Sequence, residues 1–370
     1  MRPSADDRVH ALSLSRAAIV SALMVLSAGC NDVFGIHDLP VAHVDAGDAG
    51  GCDAAKTFDD PDNCGACGRS CFGARCSAGH CAPRLLAEDA FSGTALAVDP
   101  DPKGCVYVAD EVDLFSQVEC LAKDGSARHI VYRSSSHARI PSLIVEHGAV
   151  YFTLVGLDPP SSVFRIAIDD ESNVRSLSAD DYLDGVTGDG AGSIYLAGRR
   201  TGISRAPEDL SSSTVLAPSI SAVRIRAERG EGGAVFAASR VGLIAVDKHT
   251  LAVDTLYSRG PQDFSVGKTS LFTFIDTDLT EIDKQLGCGG APHCTTFVAR
   301  GVGATDAPIG GDATSVFWYD AASGEVRRLQ PHAADGVQRV AAATQVLALA
   351  QDATALYWLG LGGEVARIAR

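Results

Sequence analysis

The stretch "ALAVDPDPKGCVYVAD" at residues 95–110 decides the fold, because its pattern returns along the chain. A short apolar run ends in an acidic turn, and a β-rich run with a central aromatic follows. The same order is read in "SLIVEHGAVYFTL" (142–154), "GVTGDGAGSIYLAG" (185–198), "IRAERGEGGAVFAAS" (225–239), "FSVGKTSLFTFID" (264–276), "PIGGDATSVFWYD" (308–320) and "LALAQDATALYWLG" (347–360). The central aromatics are Tyr107, Tyr151, Tyr195, Phe236, Phe272, Phe317 and Tyr357. They recur roughly every 40 residues, a period that belongs to repeat architectures.

A third strand is recognisable after most copies, as in "VFRIAID" (163–169), "GLIAVDK" (242–248) and "GEVARIA" (363–369). A more variable fourth follows, as in "RHIVYR" (128–133). Seven four-stranded units over residues 83–370 predict an all-β protein, a seven-bladed β-propeller with about 41 residues per blade. The last copy stops after its third strand, whereas "PRLLAED" (83–89) is a strand to spare. An open edge leaves unpaired backbone groups, so residues 84–88 are expected to complete the last blade and close the ring. The segments "VFWYD" (316–320) and "LYWLG" (356–360) resemble propellers of the Tyr-Trp-Thr-Asp and NHL classes. That resemblance implies fold and leaves function open.

The N-terminus predicts export. Arg2, Arg8 and Arg16 precede the apolar run "AAIVSALMVLSAG" (17–29), the length of a signal-peptide core and too short to span a bilayer. It runs into Cys30 through "LSAGC", which resembles the lipobox of bacterial lipoproteins, with Ser27 where that family usually has Leu. The resemblance implies a signal peptide over 1–29, a lipid on Cys30 and anchorage to a bacterial outer membrane or cell surface. The chain has 11 cysteines. Setting Cys30 aside leaves an even number, suited to full pairing in an oxidising compartment. Residues 30–51 are rich in Asp, Gly and Ala without periodicity and read as a tether with a reach of about 25 Å.

The next segment contains "NCGACGRSCFGARCSAGHC" (63–81), with Cys64, Cys67, Cys71, Cys76 and Cys81, and Cys52 lies upstream. Zinc sites usually use two separated ligand pairs, and these cysteines are evenly spaced among small residues. A segment so poor in large apolar side chains needs disulfides to hold together. Residues 52–82 are therefore expected to form a disulfide module, with connectivity left open. The NCGxCGxxC core is similar to stigma-specific-protein-like modules, which implies an extracellular spacer or interaction module. Within the propeller, Cys105 and Cys120 are placed to pair across a hairpin, and Cys288 and Cys294 flank the turn "GGAPH".

Six copies carry an acid at the first turn: Asp99, Glu146, Asp189, Glu228, Asp312 and Asp352, with Lys268 in the fifth. A feature repeated around a ring points to turn chemistry. Residues at the starts of the innermost strands break the repeat: Thr94, Ser142, Asp184, Arg224, Asp263, Asp306 and Gln345. Asp184, Asp263 and Asp306 form a candidate cation set, since Ca²⁺ favours carboxylate oxygens. Calcium-dependent lactonase-type propellers use a carboxylate and amide set, but their Glu and Asn have no match at these strand starts. "GPQDFSVGKT" (260–269) places six residues between its glycines where a phosphate loop has four. The formal charge of −15 argues against nucleic acid as a partner. The expectation is a monomeric, non-enzymatic surface lipoprotein without a cofactor, presenting a propeller face to a protein or glycan. The alternative is a metal-dependent hydrolase or lyase.

Overall fold

The computed structural model describes residues 57–64, 70–71, 73–77, 79–88, 92–112, 115–135, 138–156, 160–261, 263–284, 295–303, 307–331 and 336–370. The signal and tether segments, Cys30, Cys52, Cys67, Cys288, Cys294 and Asp306 lie outside them. Among the described residues no helix is long and apolar enough to cross a membrane.

Seven four-stranded antiparallel sheets follow one another along the chain. Blades one to six occupy residues 95–133, 139–179, 183–217, 222–257, 264–299 and 309–342. Blade seven combines Val346–Gln351, Ala355–Gly360 and Val365–Ala369 with Arg84–Ala87 from the other end of the propeller sequence. Arg84 pairs with Arg367 and Leu85 with Ala366, so the closing strand satisfies an edge that would otherwise be open.

Strand sequence explains how the blades stack. Side chains alternate across a sheet, so each blade has two apolar faces, one for each neighbour. The buried residues accordingly form seven clusters, each shared by two consecutive blades. Tyr107 of blade one packs with Phe152 of blade two, and Tyr151 of blade two with Ile194 of blade three. The series ends with Tyr357 of blade seven among Val106 and Val108 of blade one. All seven central aromatics are at most 2% exposed. Each is thus the wedge between its own blade and the next.

The cysteine module is a short hairpin, Cys76–Ser77 against His80–Cys81, held by Cys64–Cys76 and Cys71–Cys81 disulfides. Its four bonded cysteines belong to the same buried cluster as Phe317, Trp358 and Ile368 of blades six and seven. A third bridge joins Cys105 to Cys120 on neighbouring strands of blade one. Three disulfides among the described residues are consistent with folding in an oxidising compartment.

Candidate functional site

The first strands of the seven blades surround a central channel, which holds two cavities. The wide one, about 1060 Å³, opens where first strands turn into second strands. The narrow one, about 170 Å³, opens where each blade begins. Arg226 lines both. Its guanidinium donates to Asp263 Oδ1 at 3.3 Å and, two blades away, to the Ile309 carbonyl at 3.2 Å. Arg226 therefore partitions the channel.

At the wide mouth the repeated acids are tied to their neighbours. Lys123, Lys248, Lys284 and Arg370 each follow the third strand of a blade and reach back to the turn of the blade before. Lys123 Nζ lies 2.7 Å from Asp352 and Lys284 Nζ 2.7 Å from Glu228. Lys248 Nζ lies 3.7 Å from Asp189, and Arg370 Nη2 lies 2.5 Å from Asp312. The same cations sit over the wedge aromatics Tyr357, Tyr195, Phe236 and Phe317 at 5.4–5.9 Å from the ring centroids. The turn acids also bind their own turns: Asp352 Oδ1 accepts from the N–H of Thr354 and of Ala355, each at 2.8 Å. Burial alone raises the pKa of Asp352, yet the Lys123 ammonium and these donors hold it down to about 2. Tyr195, buried and bonded to Asp189, is pushed up to about 12.

Three seams lack the cation, because Ile168, Glu208 and Gln330 stand at its position. Each is held differently. Between blades one and two, Tyr132, Phe152 and Phe164 form a trio with centroids 4.9–5.3 Å apart. Between blades two and three, Glu208 bonds the His147 ring, and His147 Nε2 lies 3.9 Å from Glu146. Burial raises the Glu146 pKa, and the Glu208 bond raises that of His147. Between blades five and six, Lys268 is exposed at the mouth, where Gln330 replaces the cation.

The predicted cation set is distributed as follows. Asp184, 4% exposed, accepts two bonds from Arg199, one of 2.9 Å to Oδ1, and lies 3.6 Å from Arg139. Asp263 accepts from Arg226 and from the N–H of Phe264 and Ile309. The only three potential ligand atoms within 4.8 Å of one another among the described residues are the sulfurs of Cys64, Cys71 and Cys81. Those sulfurs are consumed by the two disulfides. Thr94 and Ser142 join blades: Thr94 Oγ1 donates to the Ile140 carbonyl, and Ser142 Oγ accepts from Val186 N–H. Gln345 donates its N–H to Tyr319 Oη.

The blade-start face has a feature that lies outside the repeat pattern. It carries Arg139, Arg199, Arg200, Arg224, Arg226, Arg240 and Arg259 on blades two to four and the link to blade five. Arg199 and Arg200 flank Tyr182, with their guanidinium carbons 5.6 and 5.8 Å from its ring centroid. Arg200, Arg240 and Arg259 are exposed and make no side-chain hydrogen bond or ion pair with the described residues. Arg224 bonds only the neighbouring Val223 carbonyl, at 3.4 Å. The signal was present in "GRRTG" (198–202) and "SRVG" (239–242), where the corresponding turns of blades five to seven carry acids and no basic residue.

No family profile matches the chain. No curated protein matches it either. Solved structures do, at low identity. Virginiamycin B lyase from Staphylococcus aureus aligns with 77% of this chain and 97% of its own, at 13% identity and a TM-score of 0.57. BamB from Moraxella catarrhalis aligns with 75% of this chain and 83% of its own, at 12% identity and 0.50. A chain of a Mitotic Checkpoint Complex aligns with 78% and 92%, at 10% identity and 0.59. The chain has the propeller fold of these proteins.

Proposed function

We propose that this protein is a non-enzymatic, monomeric binding protein of the bacterial cell surface, anchored through lipid on Cys30 and offering the blade-start face of a rigid propeller to a protein or glycan. The observation that carries the reading is the contrast between the two ends of the channel. At the wide end, four turn acids are bonded to cations of the next blade and serve to hold the ring. At the narrow end, the guanidinium groups of Arg200, Arg224, Arg240 and Arg259 stand exposed without acidic partners among the described residues, which is the condition of a surface awaiting one. The N-terminal lipobox resemblance and the disulfides support an extracytoplasmic position. The likeness to a Mitotic Checkpoint Complex chain supports a protein partner in general terms.

The likeness to virginiamycin B lyase keeps one second reading, a cation-dependent hydrolase or lyase using Asp184, Asp263 and Asp306. Thermal unfolding of the oxidised chain separates the two. A cation at 100 times its Kd adds about 2.7 kcal/mol to stability. For a chain of this size that moves the midpoint by roughly 5 °C. The binding reading expects no shift with calcium or other divalent metals. A rise with one metal that disappears on chelation and in Asp263→Ala would replace it with the enzyme reading.

A further inference from the structure

The blade-start face is divided by charge. Blades two to four and the following link contribute seven arginines, against Asp180, Asp181, Asp184 and Asp263. Three of those acids are committed to local structure, Asp263 through Arg226 and the N–H of Phe264 and Ile309. Asp181 accepts the N–H groups of Tyr182, Arg200 and Thr201, and Asp184 holds Arg199 and Arg139. The turns of blades five to seven on the same face carry Asp276, Asp278, Asp320, Glu325 and Glu364 without a basic turn residue, and the link after blade five adds Arg300 alone. In a chain with a net charge of −15, four arginines without acidic partners among the described residues, Arg200, Arg224, Arg240 and Arg259, thus gather on one arc.

The arc is built from adjacent elements. The second-to-third-strand turn of blade three carries Arg199 and Arg200, and that of blade four carries Arg240. The chain leaving blade four supplies Arg259 beside it, where Gly260 lies against the Ser239 and Arg240 backbone. Arg224 lines the narrow cavity between these two blades and the axis. Tyr182 lies among the guanidinium groups, and Val241, 72% exposed, adjoins Arg240.

Charge and composition together identify an occupant. Arginine and tyrosine are residue types enriched at the centres of protein-binding surfaces. Guanidinium groups recognise carboxylates through paired hydrogen bonds, the geometry Arg199 already makes with Asp184. We propose that the arc of Arg200, Arg224, Arg240 and Arg259 docks an acidic polypeptide segment, with Val241 and Tyr182 as its apolar contacts. This rests on the binding reading above and names the class of partner. Opposed charge also raises the association rate in a salt-dependent way.

Fluorescence anisotropy of the full mature chain tests it, with a labelled 15-residue peptide alternating Asp or Glu with Val or Leu. Binding at low ionic strength should weaken about tenfold at 0.3 M salt, where screening shortens the reach of exposed charges. It should weaken about tenfold or more in Arg200→Glu/Arg240→Glu/Arg259→Glu. Glu364→Lys, on the opposite arc, should bind as the parent does, and a Lys-rich control peptide should not bind. Arg240→Glu alone, expected to weaken binding several-fold, decides the matter if the triple variant fails to fold. Binding undiminished by these changes, or absent, overturns the proposal. Capture of dextran sulfate through the same arginines, without the peptide, overturns the polypeptide assignment and leaves the binding face standing. Absence of both on a folded protein counts against the binding reading as well.

Discussion

Lys123 of blade one donates from Nζ to Asp352 Oδ2 of blade seven at 2.7 Å, and both side chains are almost wholly buried. The same ammonium donates to the Asp99 and Asp101 carbonyls and lies 5.9 Å from the Tyr357 ring centroid. This pair spans the seam where the ring closes, next to the blade that borrows Arg84–Ala87. Removing one partner of a buried pair leaves an uncompensated charge, whereas removing both leaves none. Lys123→Met should therefore cost roughly 3 kcal/mol in denaturant unfolding. Lys123→Met with Asp352→Asn should cost less than Lys123→Met alone. A double variant as damaged as the sum of the singles would contradict direct coupling.

The same pair sets an acid limit. Asp352 falls from 3.8 in a free chain to about 2 in the fold, so ionised Asp352 favours the folded state. Its contribution is complete above about pH 5 and is lost as pH falls through the unfolded and then the folded value. A shift of this size corresponds to about 2 kcal/mol. Stability measured between pH 5 and pH 2 should decline less steeply in Asp352→Asn than in the parent.

Between blades two and three the pH dependence has the opposite sign. Glu208 raises the His147 pKa above 6.5, so the protonated ring favours the folded state. That contribution is present below the unfolded value and lost as pH rises through the folded one. His147 is partly exposed, and the effect should be small. The midpoint difference between parent and His147→Gln should shrink from pH 5.5 to pH 8.5. An unchanged difference would remove His147 from the seam.

Seven blades and the need for a closing strand were legible because each rests on local rules. Apolar alternation defines a strand, an acid with glycine defines its turn, and an unfinished last copy requires a strand from elsewhere. The closing strand expected at 84–88 is seen at Arg84–Ala87. The sequence shows the turn acids as turn formers, which they are, but Asp352 is also the partner of Lys123, 229 residues away. Such a pairing becomes visible only when the residue after each third strand is aligned with the turn of the preceding blade. The arginine arc stayed hidden for a related reason. Arg200 and Arg240 stand in variable turns, outside the strand pattern that defines the repeat.

Within blade one the Cys105–Cys120 bridge closes a 15-residue separation across paired strands. Constraint of a loop of this size in the unfolded chain is worth about 3 kcal/mol. Cys105→Ser/Cys120→Ser should lose about that much in denaturant unfolding while keeping its β-sheet circular dichroism. A variant as stable as the parent would show that the hairpin needs no staple.

The seam between blades five and six tests whether the repeat logic is causal. Four seams pair a turn acid with the cation after the next blade's third strand. Here both positions have changed together, to Lys268 and Gln330. Restoring the pattern with Lys268→Asp and Gln330→Lys should place opposite charges where the other seams have them, with Phe272 beneath as the wedge. Exposure at Lys268 limits the gain to about 1 kcal/mol or less. Lys268→Asp alone should gain little, because Lys284 is already bonded to Glu228. Gln330→Lys alone brings a second ammonium toward Lys268 and should be destabilising. A positive coupling energy in this cycle, reduced at high salt, would show that the four natural bridges are a transferable element of the ring. Strict additivity of the two changes would show that the cation and acid positions do not meet across this seam.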